Sequence, residues 1–465
     1  MTTDNDQTVE SYEDLVEVLL EQLSQLSPRL RKRLEKELGD FLSLVLDRRP
    51  PRFLLIGRRG VGKSTLINAI FGAEVRSVGD IEAQTGQAVW LEYEHHGKTL
   101  EVLDTRGLQE GSAPAEEDRA ASSVESILQA VRARCPDVIL FLVKATDVDV
   151  AIHGDLDALE KIHRKIKIVH KRQLPIVGIV TQCDGVAPPY IRELPTDDKK
   201  KNENIEKAVD VLGKHLRSRD YIREHFLDVV PTVGYAEFLD DGTVKGDLRW
   251  NIDHLVNLLL DELPQEAKID FARLAGIREG QKKIAKRVVN SCATMCGIIG
   301  TVSLPFTDLP VLTSLQVTMI LTISYISGRQ LSVESAREFL AALGVNVGAA
   351  FVLREVARGL LRLFPGLGSV ASGAVAFEGT RTIGRAAIAY FIDKRPIKMK
   401  STFDGEQLSK PGMTAAPSAE PPPREREAMA DALLQELDVI AESIEGEFDS
   451  AEDIRQIREE RADRL

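Results

Sequence analysis

Cysteine is scarce in this chain, and the positions of the few cysteines exclude the usual cysteine-based metal sites. The 465 residues contain only Cys135, Cys183, Cys292 and Cys296. No metal-ligand spacing joins them, and the last two lie one helical turn apart, which favours small apolar side chains in a buried position. The pair His95–His96 also lacks ligand spacing and favours a hairpin tip over a metal site.

An excess of basic residues is also missing, since the formal net charge is −12. General nucleic-acid binding needs a basic surface, so we expect none, although a local basic patch remains open. The first residues, Met1–Asp6, contain neither the basic nor the apolar segment of a signal peptide. We therefore expect a cytoplasmic protein.

One glycine-rich stretch has the order of residues that binds phosphate. The sequence GRRGVGKS follows the apolar run Phe53–Ile56 and precedes the helix-like run Thr65–Phe71. Strand, glycine loop and helix start favour an anion nest over a chance match. We expect nucleotide contacts from Gly57, Arg58, Arg59, Gly60, Val61, Gly62, Lys63, Ser64 and Thr65. Lys63 would reach the β- and γ-phosphates, and the Ser64 hydroxyl would bind Mg²⁺.

Two further segments complete the predicted metal and γ-phosphate site. The sequence DTRG begins at Asp104, after an apolar strand, and matches the Asp-x-x-Gly pattern. Asp104 would hold Mg²⁺ through water, and the Gly107 N–H would contact the γ-phosphate. Thr85 favours a switch threonine over an ordinary loop residue. The predicted metal ligands are Ser64, Thr85 and Asp104, and the predicted catalytic residues are Lys63, Thr85 and Gly107.

A polar segment after the strand Ile176–Thr181 predicts base recognition. Thr181, Gln182 and Asp184 stand where the pattern [Asn/Thr]-Lys-x-Asp belongs. A carboxylate at Asp184 accepts hydrogen bonds from both guanine N1–H and N2–H₂, which adenine cannot supply. Gln182 replaces the usual Lys, which leaves ATP as an alternative substrate. The segment Thr232–Gly234 is a degenerate match to the supporting Ser-Ala loop.

With these motifs, residues 51–263 resemble the translation-factor-related GTPases, near the Era-like and immunity-related families. The resemblance implies an α/β P-loop G domain with a mostly parallel sheet, which hydrolyses GTP to GDP and phosphate with Mg²⁺. The segment Leu304–Pro310 lies in a region similar to a helical domain of unknown function that follows GTPase domains in bacterial proteins.

The residue after the Asp-x-x-Gly pattern is Leu108, where related proteins often have a water-orienting Gln. A leucine cannot orient water, so intrinsic hydrolysis should be slow unless Gln109, Glu110 or a partner completes the site. Arg58 and Arg59 could stabilise transition-state charge, in the same chain or across a nucleotide-dependent homodimer. The alternative, that both arginines point to solvent, stays open.

The hydrophobic pattern predicts five segments along the chain. They are N-terminal amphipathic helices at 1–50, the G domain at 51–264, an all-helical domain at 265–400, a Pro-rich linker at 401–424 and acidic helices at 425–465. In the G domain, residues 88–93 and 100–104 predict a hairpin that turns at His95–Lys98.

Two long uncharged runs in the all-helical domain, Val288–Leu304 and Leu309–Tyr325, leave two interpretations open. Either residues 288–328 contact or enter the inner membrane as a hairpin, or they form the core of a helical bundle.

The sequence as a whole leaves two functions open. One is a slow GTP-driven switch, and the alternative is a membrane- or self-associating protein whose assembly GTP controls.

Overall fold

The computed structural model describes residues 12–24, 26–75, 77–80, 89–104, 127–149, 152–239, 243–300, 309–344 and 373–395. The predicted switch residue Thr85, the segment 105–110 and residues 401–465 lie outside the described part. Contacts between Cα atoms divide the chain into two units. Residues 42–284 and 326–328 make up the unit that we call the G unit, and the remainder makes up the helical unit.

The G unit is built on a sheet of seven strands in the order β2-β3-β4-β1-β5-β6-β7. The strands are β1 Arg52–Ile56, β2 Ser77–Asp80, β3 Val89–His95, β4 Lys98–Asp104, β5 Val138–Lys144, β6 Ile176–Thr181 and β7 Phe226–Pro231. β4, β1, β5, β6 and β7 run parallel, while β3 pairs antiparallel with both of its neighbours. The mostly parallel sheet is therefore confirmed.

The described helices follow the chain from end to end. They are α1 Tyr12–Ser24, α2 Pro28–Val45, α3 Lys63–Phe71, α4 Ile152–His170, α5 Lys199–Arg217, α6 Asp220–Arg223, α7 Ile252–Glu262, α8 Gln265–Ala275, α9 Arg278–Gly300, α10 Leu309–Ile326, α11 Val333–Ala342 and α12 Gly373–Phe391. A hairpin of β8 Ala236–Phe238 and β9 Val244–Asp247 adds a second small sheet, which the sequence pattern did not predict.

The predicted β3–β4 hairpin is present, with the register Val89↔Asp104 to His95↔Lys98 and a turn at residues 96–97. The His95 and His96 rings meet edge to face at the tip, 4.2 Å apart between centroids. The interpretation of the histidine pair as a hairpin tip therefore agrees with the position of both rings at the turn.

In the helical unit, small residues allow helices to approach closely. A Cβ on Gly384 of α12 would lie only 2.5 Å from the Val289 side chain of α9, so these helices could not pack in this way around a larger residue. Cys292 and Cys296 are fully buried free thiols, as expected, and burial raises the pKa of Cys296 to about 12.

α9 begins ten residues before the start predicted at Val288, because the charged turns from Arg278 continue the same helix. α10 agrees with the predicted run Leu309–Tyr325. The apolar pattern also predicts helices at 333–343 and 345–364; α11 agrees with the first, and the second lies outside the described residues. Of the helices that the structure describes, none combines the length and the apolar character that crossing a membrane requires.

A buried ion pair joins the start of the sheet to the chain before it. Asp137 is 1% exposed and accepts hydrogen bonds from Arg49 Nη1 at 2.8 Å and Nη2 at 2.7 Å. It also accepts the Arg52 backbone N–H at 2.9 Å. Both carboxylate oxygens are therefore bonded, which offsets the cost of removing the charge from water.

We expect Asp137→Ala to destabilise the G unit by about 3 kcal/mol, because half-buried Arg49 would lose its bidentate partner and the Arg52 N–H would lose its acceptor. Asp157→Ala is the control, since Asp157 pairs with Arg219 at the surface with 64% of its side chain exposed; such a pair contributes less than about 1 kcal/mol. Urea unfolding followed by fluorescence reports this unit, because both tryptophans, Trp90 and Trp250, belong to it. Equal shifts in the two variants would contradict the prediction.

A second buried polar cluster surrounds His163 of α4, which has no exposed surface. Its Nε2 bonds to the Leu174 carbonyl at 2.9 Å, and its Nδ1 bonds to the Tyr221 hydroxyl at 3.0 Å. A carbonyl only accepts, so Nε2 carries the proton and neutral Nδ1 accepts from the hydroxyl. Burial lowers the pKa of His163 to about 4, although the Leu174 carbonyl opposes the shift. The stacked ring of His225 and nearby Lys167 and Arg164 lower that pKa further.

The lowered pKa makes the stability of the G unit depend on pH. The pKa of His163 is about 4 in the folded chain and 6.5 in the unfolded chain. Between pH 4 and pH 6.5, His163 therefore binds a proton in the unfolded chain but not in the folded one. Stability should therefore be full above pH 6.5 and fall by about 3 kcal/mol as the pH approaches 4.

His163→Gln keeps a donor for the Leu174 carbonyl but cannot titrate, so urea midpoints over this pH range should vary less than in the wild type. His153→Gln is the matched control, because His153 is exposed on the same helix. If the wild type and His163→Gln showed parallel pH profiles, His163 would not be the responsible group.

Candidate nucleotide-binding site

The predicted phosphate loop connects the end of β1 to the start of α3. Gly60 and Gly62 adopt φ of 75° and 98°, a backbone conformation that side chains with a Cβ rarely adopt. A Cβ on Gly57 would lie 2.7 Å from the Leu142 carbonyl oxygen of β5. The glycines are therefore required both by the turn and by the close approach of the neighbouring strand.

Side chains of the loop and of the first turn of α3 lie where the sequence predicted. The Lys63 ammonium donates to the Gly57 carbonyl at 2.7 Å, so it spans the loop to which it belongs. Ser64 and Thr65 are exposed on the first turn of α3, and the Leu66 N–H bonds to the Gly62 carbonyl. The helix N-terminus and the ammonium together provide positive charge for a phosphate.

Arg58 contacts a helix that the sequence analysis did not connect with the loop. Its Nε donates to Asp155 Oδ2 of α4 at 3.1 Å. Burial raises the pKa of Asp155, while Arg58 lowers it. The ion pair holds Arg58 toward α4, and Arg59 is exposed. The sequence analysis left open whether Arg58 contacts the phosphates or points to solvent, and it did not consider a bond to Asp155.

The predicted base-recognition segment is bonded directly to the phosphate loop. The Thr181 hydroxyl donates to the Val61 carbonyl at 2.6 Å, and Gln182 Nε2 donates to the Gly60 carbonyl at 2.8 Å. Gln182 has a φ of 55°, which turns the chain sharply at the end of β6. The end of β6 and the loop between β1 and α3 therefore form one hydrogen-bonded arrangement.

Asp184 lies in the short turn Cys183–Gly185 that follows, at the edge of a cavity of about 560 Å³. The cavity is also lined by Gly62, Thr65, Gln182, Arg192 and Tyr235. Arg192 Nε lies 3.8 Å from Asp184 Oδ2, and 66% of the arginine side chain is exposed. The cavity is therefore lined both by residues next to the phosphate loop and by Asp184, the combination of groups that a nucleotide pocket requires.

The loosely predicted supporting loop, Thr232–Gly234, also lines this cavity. The Thr232 N–H bonds to the Val180 carbonyl at 2.7 Å, and the Thr232 carbonyl accepts the Cys183 N–H at 3.3 Å. Asn251 Nδ2 donates to the Pro231 carbonyl at 2.8 Å from the start of α7. The loop is therefore held against the Asp184 turn, although its sequence matches the motif poorly.

The structure describes two of the three predicted metal ligands, Ser64 and Asp104. Asp104 ends β4 and pairs in register with Leu55 of β1, next to the phosphate loop. Ser64 begins α3 on the other side of that loop. Hydroxyl and carboxylate oxygens suit Mg²⁺, so the residue types of Ser64 and Asp104 fit this ion. Thr85 and Gly107 lie outside the described residues, and their roles remain predictions.

The close approach of Gly57 to β5 gives a direct test of the loop. Gly57→Ala should weaken the binding of magnesium nucleotides by about tenfold or more, because the loop must move away from Leu142 and misalign its N–H groups. Gly154→Ala is the matched control, since nothing lies within 4 Å of the added Cβ. Titration calorimetry measures both, and unchanged affinity in Gly57→Ala would contradict the loop's proposed contact with phosphate.

The chain is similar in sequence to known GTPases. Residues 52–181 match the family model of the 50S ribosome-binding GTPase. GTPase Der from Chromobacterium violaceum is 25% identical over 191 residues, which cover 41% of this chain and 35% of Der. GTPase Der from Bacillus cytotoxicus is 30% identical over 185 residues, which cover 39% and 34%. The chain thus spans about a third of the length of these curated relatives.

Among solved structures, Era in complex with MgGDPNP and nucleotides 1506–1542 of 16S ribosomal RNA has a TM-score of 0.30 and 19% identity, covering 54% of this chain and 68% of Era. Toc33 from Arabidopsis thaliana in complex with GDP and Mg²⁺ has a TM-score of 0.30 and 18% identity, covering 50% and 92%.

The family-model match spans Asp104, the phosphate loop and β6 as far as Thr181, whose hydroxyl bonds to that loop. Residues 52–181 are therefore similar to a P-loop GTPase domain.

Proposed function

We propose that this chain binds GTP with Mg²⁺, hydrolyses it to GDP and phosphate, and acts as a slow switch that needs a partner for fast turnover. The observation that carries the proposal is the pair of hydrogen bonds from Thr181 and Gln182 to the phosphate loop. They join a phosphate site and a base-reading carboxylate into one pocket of nucleotide size.

Base selection rests on Asp184. Its two carboxylate oxygens accept the guanine N1–H and N2–H₂ donors, whereas adenine presents an acceptor at N1. Gln182 bonds to the Gly60 carbonyl, so the turn before Asp184 stays attached to the phosphate loop although the usual Lys is absent. ATP nevertheless remains the alternative substrate to be tested.

The phosphate end of the pocket provides positioning and charge. Lys63 would exchange its bond to the Gly57 carbonyl for the β- and γ-phosphates, and Ser64, Thr85 and, through water, Asp104 would hold the metal. Bound Mg²⁺ would neutralise the charge that develops on the phosphate oxygens. The Gly107 N–H would contact the γ-phosphate, and GTP would order the segments of Thr85 and Asp104–Gly107 to give the switch two states.

Slow turnover follows from two features of the chain. Leu108 cannot orient the attacking water, and Arg58 is paired with Asp155 of α4 at 3.1 Å, a bond that it would have to break to reach a phosphate. An activating protein or a second copy of the chain would supply the missing group. The alternative function is that GTP controls self-association, or membrane association through residues 288–328.

The first experiment compares GTP and ATP binding to the full chain with Mg²⁺ by calorimetry. GTP should bind far more tightly than ATP, and Asp184→Ala should weaken GTP binding about 100-fold, since two hydrogen bonds to a charged group are lost. Asp197→Ala is the control because Asp197 is exposed in the following loop. Equal ATP and GTP binding, or no effect of Asp184→Ala, would remove the GTPase interpretation of the whole chain.

GTP turnover of the same proteins is then measured at several protein concentrations. A slow rate per chain that does not change with concentration supports the switch. A rate per chain that rises steeply with concentration supports the self-associating alternative. Sedimentation with liposomes, compared with a chain that lacks residues 288–328, tests membrane association.

A further inference from the structure

One lysine beside the nucleotide cavity is completely buried. Lys201 lies in the first turn of α5 and has 0% exposure, although lysine is rarely buried in proteins. Its ammonium donates to the carbonyls of Asp184 and Val186, each at 2.7 Å, and to that of Pro188 at 3.4 Å. Asp184 belongs to the turn that presents the base-reading carboxylate, and Val186 and Pro188 lie in the segment that directly follows this turn.

We propose that Lys201 is a positioning residue for base discrimination, which holds Asp184 so that both carboxylate oxygens meet a guanine edge. This inference rests on the proposed function, because it concerns the same pocket. The contact is made to the Asp184 backbone, so it fixes the direction of the side chain without occupying the carboxylate that reads the base.

The strength of these bonds supports a positioning role. Hydrogen bonds from a charged donor are roughly twice as strong as neutral ones, and they strengthen further away from water. Burial lowers the pKa of Lys201, whereas the nearby Asp184 charge raises it. Three carbonyls and one opposite charge therefore stabilise the ammonium, and the turn loses its common anchor if that ammonium is removed.

The backbone of Lys201 is fixed as firmly as its side chain. Asp198 caps α5 by accepting the Lys201 N–H at 2.7 Å. Asn202, one residue further, bonds from Nδ2 to the Thr196 carbonyl at 2.8 Å and does not reach the Asp184 turn. The first turn of α5 therefore contains both a residue that anchors the base-reading turn and a neighbour that anchors only the preceding loop.

A residue that only stabilised the fold would affect all nucleotides alike. Inosine triphosphate distinguishes the two roles, because hypoxanthine keeps the N1–H of guanine but lacks the 2-amino group. The ratio of GTP to ITP affinity thus reports the second carboxylate hydrogen bond. One bond to a charged group corresponds to a ratio of about 10 or more in the wild type.

The experiment measures GTP and ITP affinities of the full chain with Mg²⁺, together with thermal unfolding, for wild type, Lys201→Met and Asn202→Ala. Lys201→Met should lower the affinity ratio to less than about 3, since the carboxylate can tilt away from the 2-amino group. Asn202→Ala should keep the wild-type ratio. A wild-type ratio in Lys201→Met, whatever its thermal stability, would overturn the positioning role alone.

Two further variants decide the matter if Lys201→Met does not fold or binds no nucleotide. Asp198→Ala loosens the first turn of α5, so a ratio between those of the wild type and 1 is expected if the ammonium shifts with that turn. Lys201→Gln then gives the decisive result, because its shorter, neutral amide cannot reach all three carbonyls; an unchanged ratio in Lys201→Gln would overturn the role. If the wild type bound GTP, ITP and ATP equally well, the proposed function itself would be overturned. This outcome differs from a failure of the Lys201 proposal alone, in which the wild type prefers GTP and Lys201→Met keeps that preference.

Discussion

The site depends on the hydrogen bonds by which the end of β6 holds the phosphate loop. The loop between β1 and α3 has glycines at positive φ and little side-chain packing of its own. The Thr181 hydroxyl and the Gln182 amide bond to carbonyls within it, at 2.6 Å and 2.8 Å. Because both donors come from the strand that also leads to Asp184, phosphate binding and base reading share one rigid element. Such preorganisation lowers the cost of ordering the site when ligand binds.

Three buried polar groups in the G unit are each surrounded by groups of complementary character. Asp137 has a bidentate arginine and a backbone N–H, Lys201 has three carbonyls, and neutral His163 has one acceptor and one donor. Removing one partner from such a group leaves a buried charge or dipole, which costs far more than a surface contact gains. These groups make the packing of α4 and α5 on the sheet specific as well as stable.

Secondary structure in the G unit was largely predictable from the sequence, because apolar runs and the glycine motif report on local conformation. The parallel sheet and the β3–β4 hairpin agree with those patterns, and α10 and α11 agree in the helical unit. The start of α9 was wrong, because charged turns on a partly exposed helix carry no continuous apolar run. The small β8–β9 hairpin was missed, because both strands are short and mostly exposed.

The sequence by itself determined the phosphate loop and the succession of strands and helices along the chain. It also determined the candidate residues Lys63, Ser64, Thr181, Gln182 and Asp184, since each belongs to a local pattern. Only the tertiary structure decided which distant groups meet them. Lys201 is one of three consecutive lysines, and only the rotation of α5 against the sheet determines which of them is buried. The Arg58–Asp155 pair joins residues 97 positions apart, so no local pattern could indicate it. Local patterns encode backbone conformation, whereas partners across the fold depend on how helices pack on the sheet.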